Sequence, residues 1–400
     1  METLQSKRMR TKLRIGIAGA GFAARLHAAS WRRVSGVEIE LAGACGRSRE
    51  NLDRFAQAHG LRAFESFEAM LGAVDAVDIC TPGATHEAFA VAALEAGRDV
   101  IVEKPYTGYF GPANAAEFSG LSFDRAAAYA AVRESCGRIR AALQRSGRRL
   151  GYAENWIYAP AVQKEREILE KSRGQILRQL GEESHSGSHA ASYGRWRESG
   201  GGALGTKGCH PLSAAIYFKA IEGRTRLGRP IRPARVSAHS HRLTQLAGYV
   251  DEGTLRTDYA DTEDYGQMHV TFEDGTVADI LASDVVLGGV ANWIEVFCGN
   301  HRTRCNLNPV DALETFAPSA AALEDVYVVE KIHPKQGWMK PAADEDWQHG
   351  YPQEIQAFAE ALAGGTEPEA GWELGETASL TIAAAYLSAS RGGADIAIEF

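Results

Sequence analysis

Leu13-Arg14-Ile15-Gly16-Ile17-Ala18-Gly19-Ala20-Gly21-Phe22-Ala23-Ala24 decides how this chain folds. Leu13 to Ala18 reads as a buried strand, and Arg25 to Arg33 reads as a helix. Between them stands Gly-x-Gly-x-x-Ala, in the strand–turn–helix context that a dinucleotide fingerprint needs. Gly19 permits the tight turn, and Gly21 lets the backbone approach a pyrophosphate. Ala24 is small enough for close packing of helix on strand, and the helix amino end attracts negative charge. Phe22 and Ala23 complete the loop.

The alternation continues downstream. Val37 to Ala44 reads as a second strand, Asn51 to His59 and Glu65 to Leu71 as helices, and Ala76 to Cys80 as a third strand. Thr81-Pro82-Gly83 breaks it, and Ala84 to Ala96 is a helix closed by Gly97. Val100-Ile101-Val102 is a fourth strand, ending in Glu103-Lys104-Pro105. Strands alternating with helices give a parallel sheet with right-handed crossovers. A lysine at the carboxyl end of such a strand sits where open α/β sheets bind ligands. Pro105 fixes the backbone there, and Lys104–Pro105 is a bond type that can be cis.

Together these motifs resemble the Gfo/Idh/MocA family of oxidoreductases. The resemblance rests on Gly19-x-Gly21-x-x-Ala24, Cys80-Thr81-Pro82 with His86, Ala93 to Gly97, and Val102 to Pro105. It extends through Glu154-Asn155-Trp156 with Pro160, the Gly200-Gly201-Gly202 turn, and the closing segments Phe358 to Gly364 and Leu374 to Arg391. It implies a Rossmann dinucleotide-binding domain, expected over residues 1–158. An α+β domain with a large open antiparallel sheet is expected over 159–400, its closing helices packing back on the first. It implies nicotinamide chemistry on sugars or cyclitols without metal, and a homodimer or homotetramer. Thr81, Pro82, His86, Glu103 and Lys104 are expected at the cofactor, and Asn155, Tyr158 and His210 at the substrate.

Oxidising a secondary alcohol needs a hydride acceptor and a base. Lysine, with a reference pKa of about 10.4, is a poor base at neutrality. Beside a cationic nicotinamide and partly desolvated, its pKa should fall towards the working range. Lys104 is the expected acid/base, or orients the reacting hydroxyl. Glu103 either faces the nicotinamide ribose or is a salt-bridged carboxylate.

The second active-site segment departs from the family's D-x-G-x-H. Here it reads Thr206-Lys207-Gly208-Cys209-His210. On one helix, Thr206 and Lys207 would both share a face with His210. Lys207 then binds an acidic group of the substrate, joins the proton transfer, or points to solvent. Thr206-Lys207-Gly208 with Pro211 is also similar to a segment of the family's NAD-dependent glycosidases. That keeps open a redox-neutral glycoside hydrolase, acting for instance on a sulfonated sugar such as sulfoquinovose. A non-catalytic nicotinamide-sensing subunit is a further alternative.

His185, His189, Tyr193, Arg195, Trp196 and Arg197 precede this segment and would suit an anionic sugar. Arginine forks carboxylates and tryptophan stacks on pyranose faces. A surface loop anchored by a buried Trp196 is the competing reading. Cys45-Gly46-Arg47-Ser48 ends the second strand without the carboxylate common in NAD binders. Arg47 and Ser48 therefore suit the 2′-phosphate of NADP, unless Arg47 stacks on adenine in an NAD enzyme. The stretch Tyr106 to Ser122, rich in Gly, Tyr and Phe, exceeds what the family uses and either covers the site or makes subunit contacts.

In the second domain, Val162 to Lys171 reads as a helix. Strands are expected over 235–241, 264–284 with a Glu273-Asp274-Gly275 turn, 293–298 and 302–307. The 400 residues suffice for two cores, and a net charge of −8 argues against nucleic-acid partners. No apolar run reaches membrane-spanning length, and residues 1–12 lack the apolar segment of a secretion signal. Six cysteines without C-x-x-C spacing suggest a reduced, cytoplasmic protein.

Overall fold

The computed structural model describes residues 12–112, 117–188, 190, 192–308, 313–331 and 335–400. In chain order the elements are β1 (Lys12–Ala18), α1 (Phe22–Trp31), β2 (Glu38–Cys45), α2 (Arg49–His59), α3 (Phe67–Leu71), β3 (Ala76–Ile79), α4 (His86–Glu95), β4 (Asp99–Glu103), α5 (Arg125–Ser146) and β5 (Leu150–Ala153). Then follow α6 (Asn155–Tyr158), α7 (Pro160–Ser172), β6 (Ile176–Ser184), α8 (Trp196–Ser199), α9 (Ala203–Thr206), α10 (Cys209–Leu227), β7 (Pro233–His241), β8 (Tyr265–Phe272), β9 (Val277–Ser283), β10 (Ala291–Cys298) and β11 (Arg302–Asn306). The chain closes with β12 (Thr315–Ala317), β13 (Gly337–Met339), α11 (Glu345–His349), α12 (Tyr351–Gly364), α13 (Trp372–Ser390) and β14 (Ile396–Ala397).

One compact unit takes in the described residues up to Thr107, Arg133–Asn155 and Tyr351–Glu376. Its sheet has the order β2-β1-β3-β4-β5, with every pair parallel. Both faces are covered, so the strands read as continuous apolar runs. Ile15, Ile17, Val77, Ile79 and Ile101 are fully buried. Ser48 and Ser66 cap α2 and α3 by accepting the backbone N–H groups of Asn51 and Ala69. From far downstream, α12 packs on α1 and β1.

The second unit comprises Gly108–Val132, Trp156–Gly350 and Thr377–Phe400. Its seven-stranded sheet runs β11-β10-β6-β9-β8-β7-β14. It is the large, mainly antiparallel sheet expected, with β6/β9 as its one parallel pair. The interior strand β6 and the edge strand β14 add to the strands read from the sequence. Helix α10 packs on β6, β9 and β10, and Leu212, Ile216 and Phe218 on the helix are buried, as are Ile280 and Val296 on the sheet.

That helix also buries a charge. Lys219 is fully buried, with Nζ 2.5 Å from Glu222 Oε2 and 2.8 Å from Asp274 Oδ2. Glu222→Ala leaves Lys219 with Asp274 as its carboxylate and removes one charged hydrogen bond, so it is expected to cost about 1.5–3 kcal/mol in urea unfolding. Replacing Lys219 and Glu222 together with apolar residues should recover much of that loss.

The Tyr106–Ser122 stretch is divided between the units, and residues 113–116 lie outside the described ones. Tyr106 is buried in the first unit. From Gly108 onward the segment straps onto the second. The Tyr109 carbonyl accepts the Trp196 indole N–H at 2.8 Å, and Asp261 accepts the backbone N–H groups of Gly120 and Trp196. The Arg125 guanidinium lies 3.8 Å over Phe123 and 4.1 Å over Trp196. These contacts belong to an internal aromatic cluster.

Candidate active site

In the first unit the glycine loop has the form its sequence requires. Gly19 has φ +122°, and a Cβ there would stand 2.6 Å from the Cys80 carbonyl oxygen. At Gly21 a Cβ would meet nothing within 4 Å, so the space over the loop is open. Gly21 is the N-cap of α1 and offers no side-chain cap, and no acidic residue stands in the first turn. Those backbone N–H groups are a ready anion site. Ala24 is fully buried, as close packing demands, while Phe22 is exposed. This arrangement fits a dinucleotide pyrophosphate.

Two expected cofactor residues have other work. His86 is fully buried, its ring nitrogens 2.7 Å from the Pro105 carbonyl oxygen and 2.8 Å from that of Thr81. It ties two loops together from inside and has no surface to offer a cofactor. Ser48 Oγ already accepts the N–H of Asn51 as the α2 cap. Arg47 is exposed. The Thr81 hydroxyl accepts that of Thr85 at 2.8 Å.

Glu103 and Lys104 end β4, both partly exposed, and the Lys104–Pro105 bond is cis. Glu103 Oε2 accepts the backbone N–H of Lys104 at 2.8 Å, and Oε1 lies 3.2 Å from His27 Nε2. This corresponds to the salt-bridged reading of Glu103. Burial pushes its carboxyl upward, but its neighbours, His27 first and then Lys104, together outweigh this and hold it below the ordinary value.

In the second unit the triple-glycine turn is packed too tightly for side chains. A Cβ on Gly200 would stand 2.7 Å from the Phe110 ring, and one on Gly202 would collide with Glu263. Glu263 Oε1 accepts the N–H groups of Gly202 and Leu204 at 3.1 Å and the Tyr386 hydroxyl at 2.7 Å. That buried carboxylate caps α9.

The segment Thr206–His210 is not one helix. α9 stops at Thr206 and α10 starts at Cys209. Pro211 lacks the N–H that would bond to the Lys207 carbonyl, so the helix restarts there. Thr206 donates its hydroxyl to the Gly202 carbonyl at 2.8 Å. Lys207 does not point to solvent. It is 2% exposed, with Nζ 2.6 Å from Asp284 Oδ1 just past β9. Tyr193, Tyr259 and Lys331 surround this pair. Lys207 Nζ lies 5.8 Å from the Tyr193 ring centre. Burial and then Asp284 push the Tyr259 phenol upward. Burial pulls Lys331 down, with the charge of Lys207 adding to it.

His210 is 6% exposed, stacks on Trp156 at 5.9 Å between ring centres, and has Nε2 3.8 Å from Glu183 Oε2. His349 on α11 is its neighbour. Burial and then His210 pull His349 down to about 4. The unfolded chain therefore binds this proton more readily than the folded one. His349 contributes stability above its ordinary value of about 6.5, lost as pH falls towards 4. His349→Gln is expected to flatten that part of the stability–pH curve, measured by thermal unfolding.

The remaining expected substrate residues divide. Asn155 and Tyr158 are 6% and 3% exposed. Trp196 is 3% exposed and held among Phe123 and Tyr386, so it is the internal anchor and not a stacking face. The Arg195 side chain is 68% exposed, 3.8 Å from Glu198. His189 lies outside the described residues. Among the described residues, two groups that lie within a single unit bring three metal-capable atoms together, His27-Asp78-Cys80 and Glu165-Cys298-His301. Each contains an internal ion pair, with His301 Nε2 3.0 Å from Glu165.

Residues 13–118 match the oxidoreductase family with NAD-binding Rossmann fold, Gfo/Idh/MocA, and residues 172–302 match the Gfo/Idh/MocA C-terminal domain. The chain belongs to the Gfo/Idh/MocA family of oxidoreductases. Among curated relatives, it is 39% identical over 95 residues to UDP-N-acetylglucosamine 3-dehydrogenase of Acidithiobacillus ferrooxidans. It is 38% identical over 94 residues to inositol 2-dehydrogenase of Cereibacter sphaeroides. The matched stretches span 24% and 23% of this chain and 29% and 28% of those relatives. Among solved structures, GenD2 from gentamicin A biosynthesis in complex with NAD superposes with a TM-score of 0.77 at 22% identity, over 100% of both chains. Scyllo-inositol dehydrogenase from Lactobacillus casei, with bound NAD(H) and scyllo-inositol, gives 0.71 at 16% identity, over 97% of this chain and 99% of that one. At such identities the likeness is one of fold.

Proposed function

We propose that this protein catalyses nicotinamide-dependent oxidation or reduction of a secondary hydroxyl on a sugar or cyclitol, with Lys104 as the acid/base. The observation that carries this reading is Lys104 at the carboxyl end of β4, in the same parallel sheet as an open glycine loop. Nicotinamide supplies the hydride acceptor or donor when bound. The Gly19–Ala24 loop and the α1 amino end hold its pyrophosphate, and Glu103 orients Lys104 through the backbone. Lys104 takes the hydroxyl proton as the alcohol becomes a ketone and returns it in the reverse direction. The polar cluster of the second unit, with His210, Lys207 and Asp284, is the sugar-binding part of this proposal.

A neutral polyol suits this cluster better than an anion. The Lys207 charge is balanced by Asp284, Trp196 is internal, and Arg195 stands in solvent beside Glu198. NAD is proposed over NADP, because Ser48 serves the α2 cap and Arg47 alone remains for a 2′-phosphate. A lower dissociation constant for NADP than for NAD would reverse that choice. Homo-oligomerisation belongs to the same proposal, and light scattering tests it. Among the described residues, no helix is long and apolar enough to cross a membrane.

The test is a panel of cyclitols, sugars, nucleotide sugars and aryl glycosides with purified protein and NAD. Net growth of nicotinamide absorbance on a cyclitol or sugar supports the proposal. Aglycone release without net absorbance change replaces it with the redox-neutral glycosidase. Cofactor binding with neither signal replaces it with a nicotinamide sensor.

A further inference from the structure

His27, in the middle of α1, is fully buried and meets a carboxylate at each ring nitrogen. Nδ1 lies 3.0 Å from both oxygens of Asp78 on β3, and Nε2 lies 3.2 Å from Glu103 Oε1 at the end of β4. Trp31, further along α1, donates its indole N–H to Asp78 Oδ2 at 2.8 Å. Glu103 Oε2 in turn accepts the backbone N–H of Lys104 at 2.8 Å. One unbroken line of contacts runs from the fingerprint helix, through β3, to the strand end that carries Lys104.

A ring nitrogen that faces a carboxylate oxygen must bring a proton, or two lone pairs meet. With a carboxylate at each nitrogen, the ring fits as an imidazolium. Burial, the largest single influence, opposes that charge, but the neighbouring groups, Asp78 foremost, together outweigh it and hold His27 well above the ordinary histidine value. The other titratable neighbours do not compete for this place. Cys80 Sγ, 3.4 Å from Nδ1, is kept a thiol by burial. Glu354 on α12 is fully buried, and burial pushes its carboxyl well above the ordinary value. Of the further titratable groups, His86 faces Glu103 and Glu154 faces Glu354. A buried ion pair adds little net stability, so its value here is directional.

We propose that His27 is a positioning residue: it holds the Glu103 carboxylate against the Lys104 backbone and so fixes the direction in which the Lys104 side chain leaves the sheet. The inference rests on Lys104 as the proton-transfer group. Asp78 and Trp31 act through His27 by fixing its ring.

The test uses the full chain with NAD added, comparing wild type with His27→Gln and His27→Ala. Lysines are labelled by reductive ¹³C-methylation, and the Lys104 resonance is assigned by its loss in Lys104→Arg. Both His27 variants should bind NAD within about threefold of wild type while the Lys104 titration midpoint moves by about half a pH unit or more, the other lysines staying in place. With a substrate from the panel, kcat should fall about tenfold or more at a KM within about threefold, as misplacement of a reacting group predicts. An unmoved Lys104 titration overturns the proposal. So does a fall in kcat that only follows the loss of folded protein at the assay temperature. If neither His27 variant folds, Asp78→Asn is measured by the same titration, with the same expected shift and the same overturning result. Wild-type turnover in Lys104→Met would instead overturn the role of Lys104 and leave the titration result standing, so the two failures are distinct.

Discussion

Lys104→Met is expected to lower turnover by about 10²–10⁴-fold while changing the NAD dissociation constant by less than about threefold. The split follows from where the groups sit. Cofactor affinity rests on the open glycine loop and the uncapped amino end of α1, which the substitution leaves alone. Methionine keeps most of the lysine stem and removes only the amine, so the packing at the end of β4 survives. Lys104→Arg should fail as well, because a guanidinium does not release its proton near neutrality. Stopped-flow reduction of NAD with saturating substrate checks both. Turnover near wild type in either variant refutes Lys104 as the acid/base.

Asp284→Ala is expected to destabilise the protein by about 3–5 kcal/mol in urea unfolding. Lys207 would remain 2% exposed with its ammonium deprived of the carboxylate now at 2.6 Å. Its other charged neighbour, Lys331, only adds repulsion. The double variant Asp284→Asn with Lys207→Met should recover most of the loss, since charge and partner leave together. An Asp284→Ala protein as stable as wild type would show that this pair is not the buried ion pair described above.

The first unit was legible because its signals are local. Each strand is a short apolar run, and the helix caps and the glycine loop are read within a few residues of one another. Even there, one local signal went unused. Asp78 stands inside the four-residue strand Ala76–Ile79, which is buried throughout, and a carboxylate in such a place requires a partner. That partner is His27, on a helix whose sequence alone gives no reason to single it out.

The second unit resisted reading for a physical reason. Its interior strand β6 carries Arg178, Gln179, Glu182 and Glu183, and so lacks the alternation of a half-buried strand. Gln179 is fully buried nonetheless, its amide donating to the Ala215 carbonyl on α10. Only the fold brings that acceptor close. The same holds for Asp284, which meets Lys207 across the sheet, and for His349, which reaches His210 from the far end of the chain. Trp196 was legible as a large aromatic beside a site-like turn. Whether it faces sugar or core depended on a strap that begins at Gly108.

The chain passes between its two compact units five times. Strands β1 to β5 are all complete by Ala153, yet α12, which packs on α1 and β1, is not made until after Gly350. The nucleotide-binding half is therefore finished only after strands β6 to β11 of the second unit have been made. A ribosome-bound chain of its first 350 residues holds every strand of that sheet with α1 still uncovered. Cofactor meets a complete binding unit only when α12 has emerged, and exchange of this half between relatives at a single crossover point would leave it without its closing helix.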